Sequence, residues 1–584
     1  MKKDIKAAYI LAVFMIVSGV GFLFTSASEG ESQVGVAPIN PDFLKYMESK
    51  SAQGSEYGYR YGYVPSPVTL SHIKGTVDPA VNVEYPAYYN LQDYQRVPLV
   101  KDQRSYPTCW IFAAYSSLES CLLPEEARDF SEWHLANTHG FDYDVYGAGN
   151  SWMTTAYLIR WGGPVDEWLV PYPQKSGAPA PQGSFPPAKH VQQVIFLPER
   201  TGPLDNNTIK YFLVNYGAVD FAMYWDFNTY NYGTSSQYRP GDHSQNHRLA
   251  IAGWDDHYPA ENFNIKPPGN GAFIARNSWG TRWGINGYCY ISYYDMSLEE
   301  FTCFNNAKPV NNYDSIYQHD PLGWTSSWGK RDSWGANVFT AVDTRPLTAV
   351  GFYTNDANAR YEIYVYKNVN NTNSNDPNDH NPHSGTLAAA KTGNFIYAGY
   401  YTVQLDTPVP LEIGETFSVV VRFINPNYRF AVPLEIPIDR HSSGAAANPG
   451  ESYVSRDGIQ WDDVTGLMPD ANVCIKAYTE FPPVHISLQG KRNVLRAWII
   501  RREYGEISFT IEDTPGLSLS HVVLLRKIDF GDYHELQQIP INELSNGKYT
   551  YEDYYLDGMG NCTYQVKAYD SSGRIAGKSS EITI

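Results

Sequence analysis

Apolar and polar positions along the chain fall into three rhythms. The first is an uncharged run from Ala7 to Phe24, preceded by three lysines and followed by small residues around Ala27. That order predicts a secretory signal cut after Ala27; its length also suits a short N-terminal anchor. The second rhythm is helical. From Trp110 onward Ile111, Ala114, Leu118 and Cys121 or Leu122 share one stripe, with Pro107 and Thr108 just outside, so a helix is predicted to begin at Cys109. Asn40, Pro41 and Asp42 form a helix start of the same kind, with Asn as cap and Pro in the first turn. His247 opens a short apolar run ending at Gly253, the pattern of a buried strand. The third rhythm is short alternation. Runs at 361–369, 400–405, 416–423 and 472–480 are separated by turn clusters, and they predict an antiparallel β-sandwich over 309–480. Past the linker Phe481 to His485, runs such as EISFTIED and CTYQVKAYD predict a second sandwich over 485–584.

At 584 residues the chain exceeds one hydrophobic core. The predicted organisation is a signal or anchor (1–27), an N-terminal extension or pro-segment (28–85), an α+β domain with catalytic features (86–308) and the two all-β sandwich domains (309–480 and 485–584). The net charge of −18 argues against nucleic acid and against attraction to anionic lipid, since both reward Lys and Arg. Membrane contact is expected only through an uncleaved N-terminal helix. Six cysteines occur, and a free Cys109 leaves an odd number, so a complete disulfide framework within one chain is not expected. Cys121 and Cys289 are read as small buried hydrophobes. Triplets at Asn206, Asn370 and Asn561 match the glycan acceptor pattern.

No metal or cofactor is expected. His134, His139, His243 and His257 lack ligand spacing with Cys or carboxylates, and are taken as surface or structural. The loop from 368 to 385 holds Asp376, Asp379, His380 and His383 without the regular oxygen spacing of a calcium loop, and is taken as a solvated loop.

Candidate chemistry gathers around Cys109. At a helix N-terminus the unpaired N–H groups and the dipole favour the thiolate, the nucleophilic form. A thiolate also needs a base, and the base needs a partner that fixes its ring. His247, with its NH-then-apolar-strand context, and Asn277, just before Ser278, Trp279 and Gly280, supply both types in the order Cys, His, Asn. Gln103 lies six positions before Cys109. With the local contexts QRSYPTCW, NHRLAIAGW and ARNSWG, this set resembles the papain-like (C1 family) cysteine peptidases. The separation of Cys109 and His247 falls inside the family's spacing of about 130–150 residues, and Asn277 lies beyond it because of the polar loop from Asp255 to Gly271.

The resemblance implies a two-lobed α+β peptidase domain that hydrolyses peptide bonds through an acyl-enzyme. It implies that Cys109 attacks, His247 acts as acid and base, Asn277 orients His247, Gln103 and the Cys109 N–H hold the oxyanion, and Gly149 pairs with the extended substrate. It also gives Trp279 the role of shielding the His247–Asn277 bond. Two departures stand out. Tyr106, Pro107 and Thr108 replace the family's Cys-Gly-Ser, which predicts reshaped subsites, and residues 28–85 lack the usual long helical pro-segment and suit an extended strap over the catalytic domain. A papain-like unit followed by a β-sandwich resembles microbial exported proteins whose second unit is called lectin-like, which implies a cell-surface glycan as a partner beside protein or peptide substrates. The last unit resembles fibronectin type III or immunoglobulin-like modules. A secreted or cell-surface cysteine endopeptidase is therefore expected, the alternatives being an inactive adhesin and a transpeptidase.

Overall fold

The computed structural model describes residues 34–51, 61–76, 83–241, 243–369, 381–480, 484–497, 500–512, 517–529, 533–554, 556, 560–571 and 575–584. The expected signal or anchor, Asn370, and Asp376, Asp379 and His380 lie outside these residues. Among the described residues no helix is long and apolar enough to cross a membrane.

The predicted helix forms at Cys109–Leu122 and is buried along most of its length. It packs against helix Ser151–Ile159 and helix Glu132–Thr138, with Ile111, Ala114, Leu118, Met153 and Leu158 in one core. The two partner helices start where their sequences supply a cap. Ser131 Oγ accepts from His134 N (3.0 Å), and Asn150 Oδ1 from Met153 N (3.1 Å); each such cap is worth about 1 kcal/mol.

The other face of the Cys109 helix lies on an antiparallel sheet. Its strands run in the spatial order His190–Phe196, Glu299–Lys308, Val219–Met223, His247–Asp255, Ala272–Arg276, Tyr288–Ser292. The pairing of Ala250 with Arg276 sets Asn277, one residue past its strand, beside the start of the His247 strand. Helices packed on one antiparallel sheet give the α+β papain-like class expected for the first domain.

The sandwich expected over 309–480 is present, but it is not separate from the domain before it. Strand Ala398–Val409 pairs with His190–Phe196, Ala398 opposite Phe196 and Tyr401 opposite Gln193, so one sheet runs from the first domain into the second. Tyr353, Tyr400 and Cys474 join Val194, Phe196 and Met153 in a common core. Gly399 sits at the seam, where a Cβ would lie 2.3 Å from the carbonyl oxygen of Val194. A second sheet of strands, including Ala359–Lys367, Thr416–Ile424 and Asp332–Thr340, closes the sandwich over a core of Val350, Phe352, Ile363, Val419 and Val421.

Beyond it, the predicted second sandwich has one sheet built on Ile486–Ala497, Ile500–Ile511 and Lys548–Asp553 and another around Leu519–Ile528 and Cys562–Asp570. Ile507, Phe509, Val522, Leu524, Tyr564 and Val566 fill the space between. All six cysteines are free, which goes further than the expected lack of a complete disulfide framework; Cys289 is buried and Cys121 half-buried.

The shared sheet predicts joint melting of the first two domains. Gly399→Val, which forces a side chain into the seam, is expected to cost about 2–4 kcal/mol and to split the calorimetric transition. Gly202→Ala, with open space around its Cβ, is expected to stay within about 0.5 kcal/mol of the parent. A Gly399→Val protein that melts like the parent refutes the coupling.

Candidate active site

Cys109 and His247 are both fully buried. Backbone N–H groups of Trp110, in the first turn of the helix, and of Arg248, the residue after His247, address the Cys109 sulfur. The ring of His247 is fixed on its far side. Its Nε2 lies 2.9 Å from Asn277 Oδ1; an amide oxygen only accepts, so the proton sits on Nε2 and Nδ1 keeps its lone pair. Nδ1 has no hydrogen-bond partner. Trp279 stacks on the imidazole at 4.8 Å between ring centres, and Trp225 meets it edge-on at 6.1 Å. Asn277 is held in turn by Ser278 N–H, which donates to Oδ1 at 2.8 Å.

Gln103 is buried and tied at both ends of its amide. Ser278 Oγ donates to Oε1 (2.6 Å), and Nε2 donates to the carbonyls of Tyr106 (2.8 Å) and Tyr61 (3.0 Å). The second of these carbonyls is foreign to the domain. It belongs to residues 61–68, which cross the cleft as an extended strap. Gly149 N–H donates to Gly62 O, and Val64 N–H donates to Gly149 O, both at 3.0 Å, so Tyr63 forms a parallel bridge with Gly149. Two glycines permit the approach. A Cβ on Gly62, whose φ is +120°, would stand 2.2 Å from Pro107 O, and one on Gly149 would stand 2.4 Å from the Trp110 indole. Pro107, the departure noted in the sequence, is thus a wall of the cleft under the strap. Tyr61 completes the cover, with its ring 5.3 Å from His247 and 5.6 Å from Trp279.

The sandwich over 309–480 holds the N-terminal extension on both sides of the strap. Strand Gly35–Val36 adds to the edge of Ser326–Gly329. Helix Pro41–Ser51, capped as predicted, contributes Phe43, which meets His441 edge-on at 5.0 Å. His72 stacks on Tyr428 at 3.8 Å and bonds Asn355 O at 2.7 Å.

Burial reverses the expected electrostatics. The helix N-terminus is expected to favour a thiolate, but desolvation by burial pushes the Cys109 thiol up to about 12, against the lowering by the Arg248 N–H and charge. The same desolvation drives the His247 imidazole down to about 3, partly offset by its bond to Asn277. Near neutral pH the covered pair is therefore thiol and neutral imidazole.

A cluster that sequence reasoning missed lies next to Gly149. Arg248, fully buried, donates Nε and Nη2 to the two oxygens of Asp220 (3.0 Å each), Nη1 to Glu300 Oε2 (2.7 Å) and Nη2 to Glu300 O (3.0 Å). Ser151 Oγ donates to Asp220 at 2.8 Å. Burial pushes both carboxyls upward, and Arg248 pulls them back. These residues are far apart in the chain, and only the position of Arg248 beside His247 offered a signal. Of the histidines set aside, His134 bonds the Tyr157 hydroxyl (2.6 Å), His139 packs against Trp110, and His243 accepts from Arg239 (2.9 Å). Among the described residues no group of His, Cys, Asp or Glu could hold a metal ion.

Comparison with known proteins places this geometry. Residues 85–303 match the model of the papain family cysteine protease, and residues 316–479 that of the lectin like domain. The crystal structure of the cysteine protease and lectin-like domains of Cwp84, a surface layer associated protein of Clostridium difficile, is similar to this chain at 26% identity and a TM-score of 0.65, covering 78% of this chain and 100% of that one. A Cwp84 structure after propeptide cleavage is similar at 27% identity and a TM-score of 0.60, over 67% of this chain and 99% of that one. Among curated proteins, the probable cysteine protease RD19D of Arabidopsis thaliana is 29% identical over 37% of this chain and 59% of its own length. Fruit bromelain of Ananas comosus is 27% identical over 40% of this chain and 63% of its own length. The chain thus spans about three fifths of these two relatives.

The strap's grip is expected to weaken in acid. A base whose burial lowers its pKa, as that of His247 does from the ordinary 6.5 to about 3, holds fewer protons buried than when water reaches it. The covered state is therefore favoured above pH 6.5 and loses stability as pH falls below it. In the Cys109→Ala protein, hydrogen exchange corrected for intrinsic rate is expected to show protection of residues 61–68 reduced by about 1–3 kcal/mol at pH 4.5 relative to pH 7.5. Equal protection at the two values refutes the account.

Proposed function

We propose that this chain, in which a papain-family cysteine protease domain at 85–303 is followed by a lectin-like domain at 316–479, is an exported, cell-surface cysteine endopeptidase kept latent by its own residues 61–76. The single observation that carries the reading is the amide of Gln103, which donates at 3.0 Å to a peptide carbonyl lying in the cleft, beside the His247–Asn277 pair.

With the strap gone, water returns to the cleft and the desolvation that favours the neutral pair is relieved. Cys109 then gives its proton to Nδ1 of His247, the ring nitrogen left without a partner. The thiolate attacks a substrate carbonyl, and the resulting oxyanion is held by Gln103 Nε2 and the Cys109 N–H, each donor being worth on the order of 3 kcal/mol. His247 passes its proton to the departing amine, and Asn277 keeps the ring in plane through the transfer. Water activated by His247 then hydrolyses the thioester and frees the second product. The Tyr61–Gly62 bond survives in the same cleft because the sulfur there is still a protonated thiol.

The likeness to Cwp84, a surface layer associated protein, supports a comparable station here, and the signal-like N-terminus supports export. The lectin-like domain then serves to hold the peptidase near surface glycans, and the last sandwich, of the fibronectin type III or immunoglobulin-like kind, acts as a spacer.

Full-length protein processed by a trace of added trypsin is expected to hydrolyse an unstructured peptide. Cys109→Ala and His247→Ala are expected to lower kcat by about 10³-fold or more, and Gln103→Ala by about 10²–10³-fold. Turnover that survives Cys109→Ala sinks the reading. Product masses in the presence of excess amine separate hydrolysis from transpeptidation.

A further inference from the structure

We infer that the pocket beside Gly149 is built to read a phenol, so that the enzyme selects peptides with tyrosine at the residue lying against Gly149. This rests on the peptidase reading and adds to it a substrate class and two specificity-determining residues, Glu300 and Arg248.

The strap serves as a template. Tyr63 is bracketed by the two backbone bonds to Gly149, the place reserved for an extended substrate residue, and it is 2% exposed. Its hydroxyl donates to Glu300 Oε1 at 2.8 Å. Its ring lies 5.9 Å from the Arg248 guanidinium, face towards the cation.

The charges in the pocket decide which side chain fits. Arg248 spends its guanidinium on both oxygens of Asp220 and on Glu300 Oε2. One acceptor, Glu300 Oε1, remains for whatever enters. A phenylalanine offers that half-buried oxygen no donor, so the bond Tyr63 makes to it is lost. An acidic side chain meets two carboxylates. A basic one reaches Oε1 only by facing Arg248. Serine and threonine are too short to span the pocket with a ring's worth of contact. The phenol brings together a donor, no charge and a flat face for the guanidinium.

The backbone supports a dedicated role for Glu300. Its φ of +50° lies in the left-handed region, unusual for a residue with a side chain and costly unless surrounding structure enforces it. The pocket is also coupled to the chemistry by one residue. Arg248 faces the phenol with its side chain while its backbone N–H addresses the Cys109 sulfur.

The test uses trypsin-processed full-length protein and two acyl-dipeptide aminocoumarin substrates that differ only in tyrosine or phenylalanine at the residue before the scissile one. The tyrosine substrate is expected to show kcat/KM about tenfold higher, and Glu300→Met is expected to bring the ratio to about one. A phenylalanine substrate cleaved as well as the tyrosine one, or a ratio unmoved by Glu300→Met, overturns the assignment. A second arm needs no turnover. In the unprocessed full-length chain, alkylation of Cys109 by iodoacetamide requires the strap to lift. Tyr63→Phe and Glu300→Met are each expected to speed it about tenfold, and the double variant no further than either alone. Additive effects, or none for Tyr63→Phe, refute the phenol reading whatever the enzyme cleaves. If this coupling holds and no peptide is hydrolysed, the peptidase reading falls and the pocket stands.

Discussion

The register between the His247–Asp255 strand and its two neighbours is the constraint on which the site depends. Pairing Ala250 with Arg276 delivers Asn277 to the imidazole of His247, and pairing Asp220 with the same Ala250 delivers its carboxylate to Arg248. A slip of one residue turns every side chain of a strand to the opposite face, and here it would part both pairs at once. The core enforces the register, because Leu249, Ile251, Phe221 and Phe273 are buried together and a slipped strand would bury Arg248 without its partners. A buried guanidinium deprived of its carboxylates costs several kcal/mol. The ion pair therefore does less for stability than for uniqueness: it makes the wrong alignment expensive.

The same economy of position appears in the join between the first two domains. A peptidase sheet ends in a strand that, left alone, would present unpaired N–H and C=O groups. Here Ala398–Val409 pairs with the His190–Phe196 strand and carries the hydrogen bonding on into the second domain. The lectin-like domain then gains a lever on the cleft. It holds the strap through the Gly35–Val36 edge strand and the His72–Tyr428 stack, and it is fixed to the lobe on which the strap must lie. Together these contacts keep Tyr61 and Tyr63 at high effective concentration above the site.

What was legible in the sequence follows from the range of the forces involved. The Cys109 helix could be read because its apolar spacing is local, and the Asn40 cap is local too. His247, Asn277 and Gln103 could be read because each stands in a short context of strand or turn, although their meeting is a matter of tertiary structure. The strap could not be read as a cleft filler. The stretch around Tyr61 to Val64 has no periodicity, and its placement depends on Gly62 fitting against Pro107 and on Gly149 fitting against Trp110, contacts between distant residues. Glu300 and Asp220 were invisible for the same reason: a buried ion pair joins positions that no local pattern links. The fused sheet was missed because a strand's alternation says which face is buried and nothing about which edge is paired.

At Cys109 a single physical cause, burial, both conceals the sulfur and opposes its ionisation. The helix dipole lowers a thiol's pKa by favouring the anion, an effect of about 1 kcal/mol at an exposed site. Removing water from the sulfur and the imidazole acts in the opposite sense and is larger, since it penalises both charged partners. A strap that merely blocked the cleft would leave a reactive ion pair beneath it, ready to cut the blocker whenever a carbonyl came into reach. Because this strap also excludes water, with the Tyr61 ring and two indoles around His247, the charge separation needed for attack is withheld for as long as the cover stays. On the proposed reading, the peptide carbonyl that Gln103 holds sits in place uncut, and the return of water would restore access and nucleophile in one step.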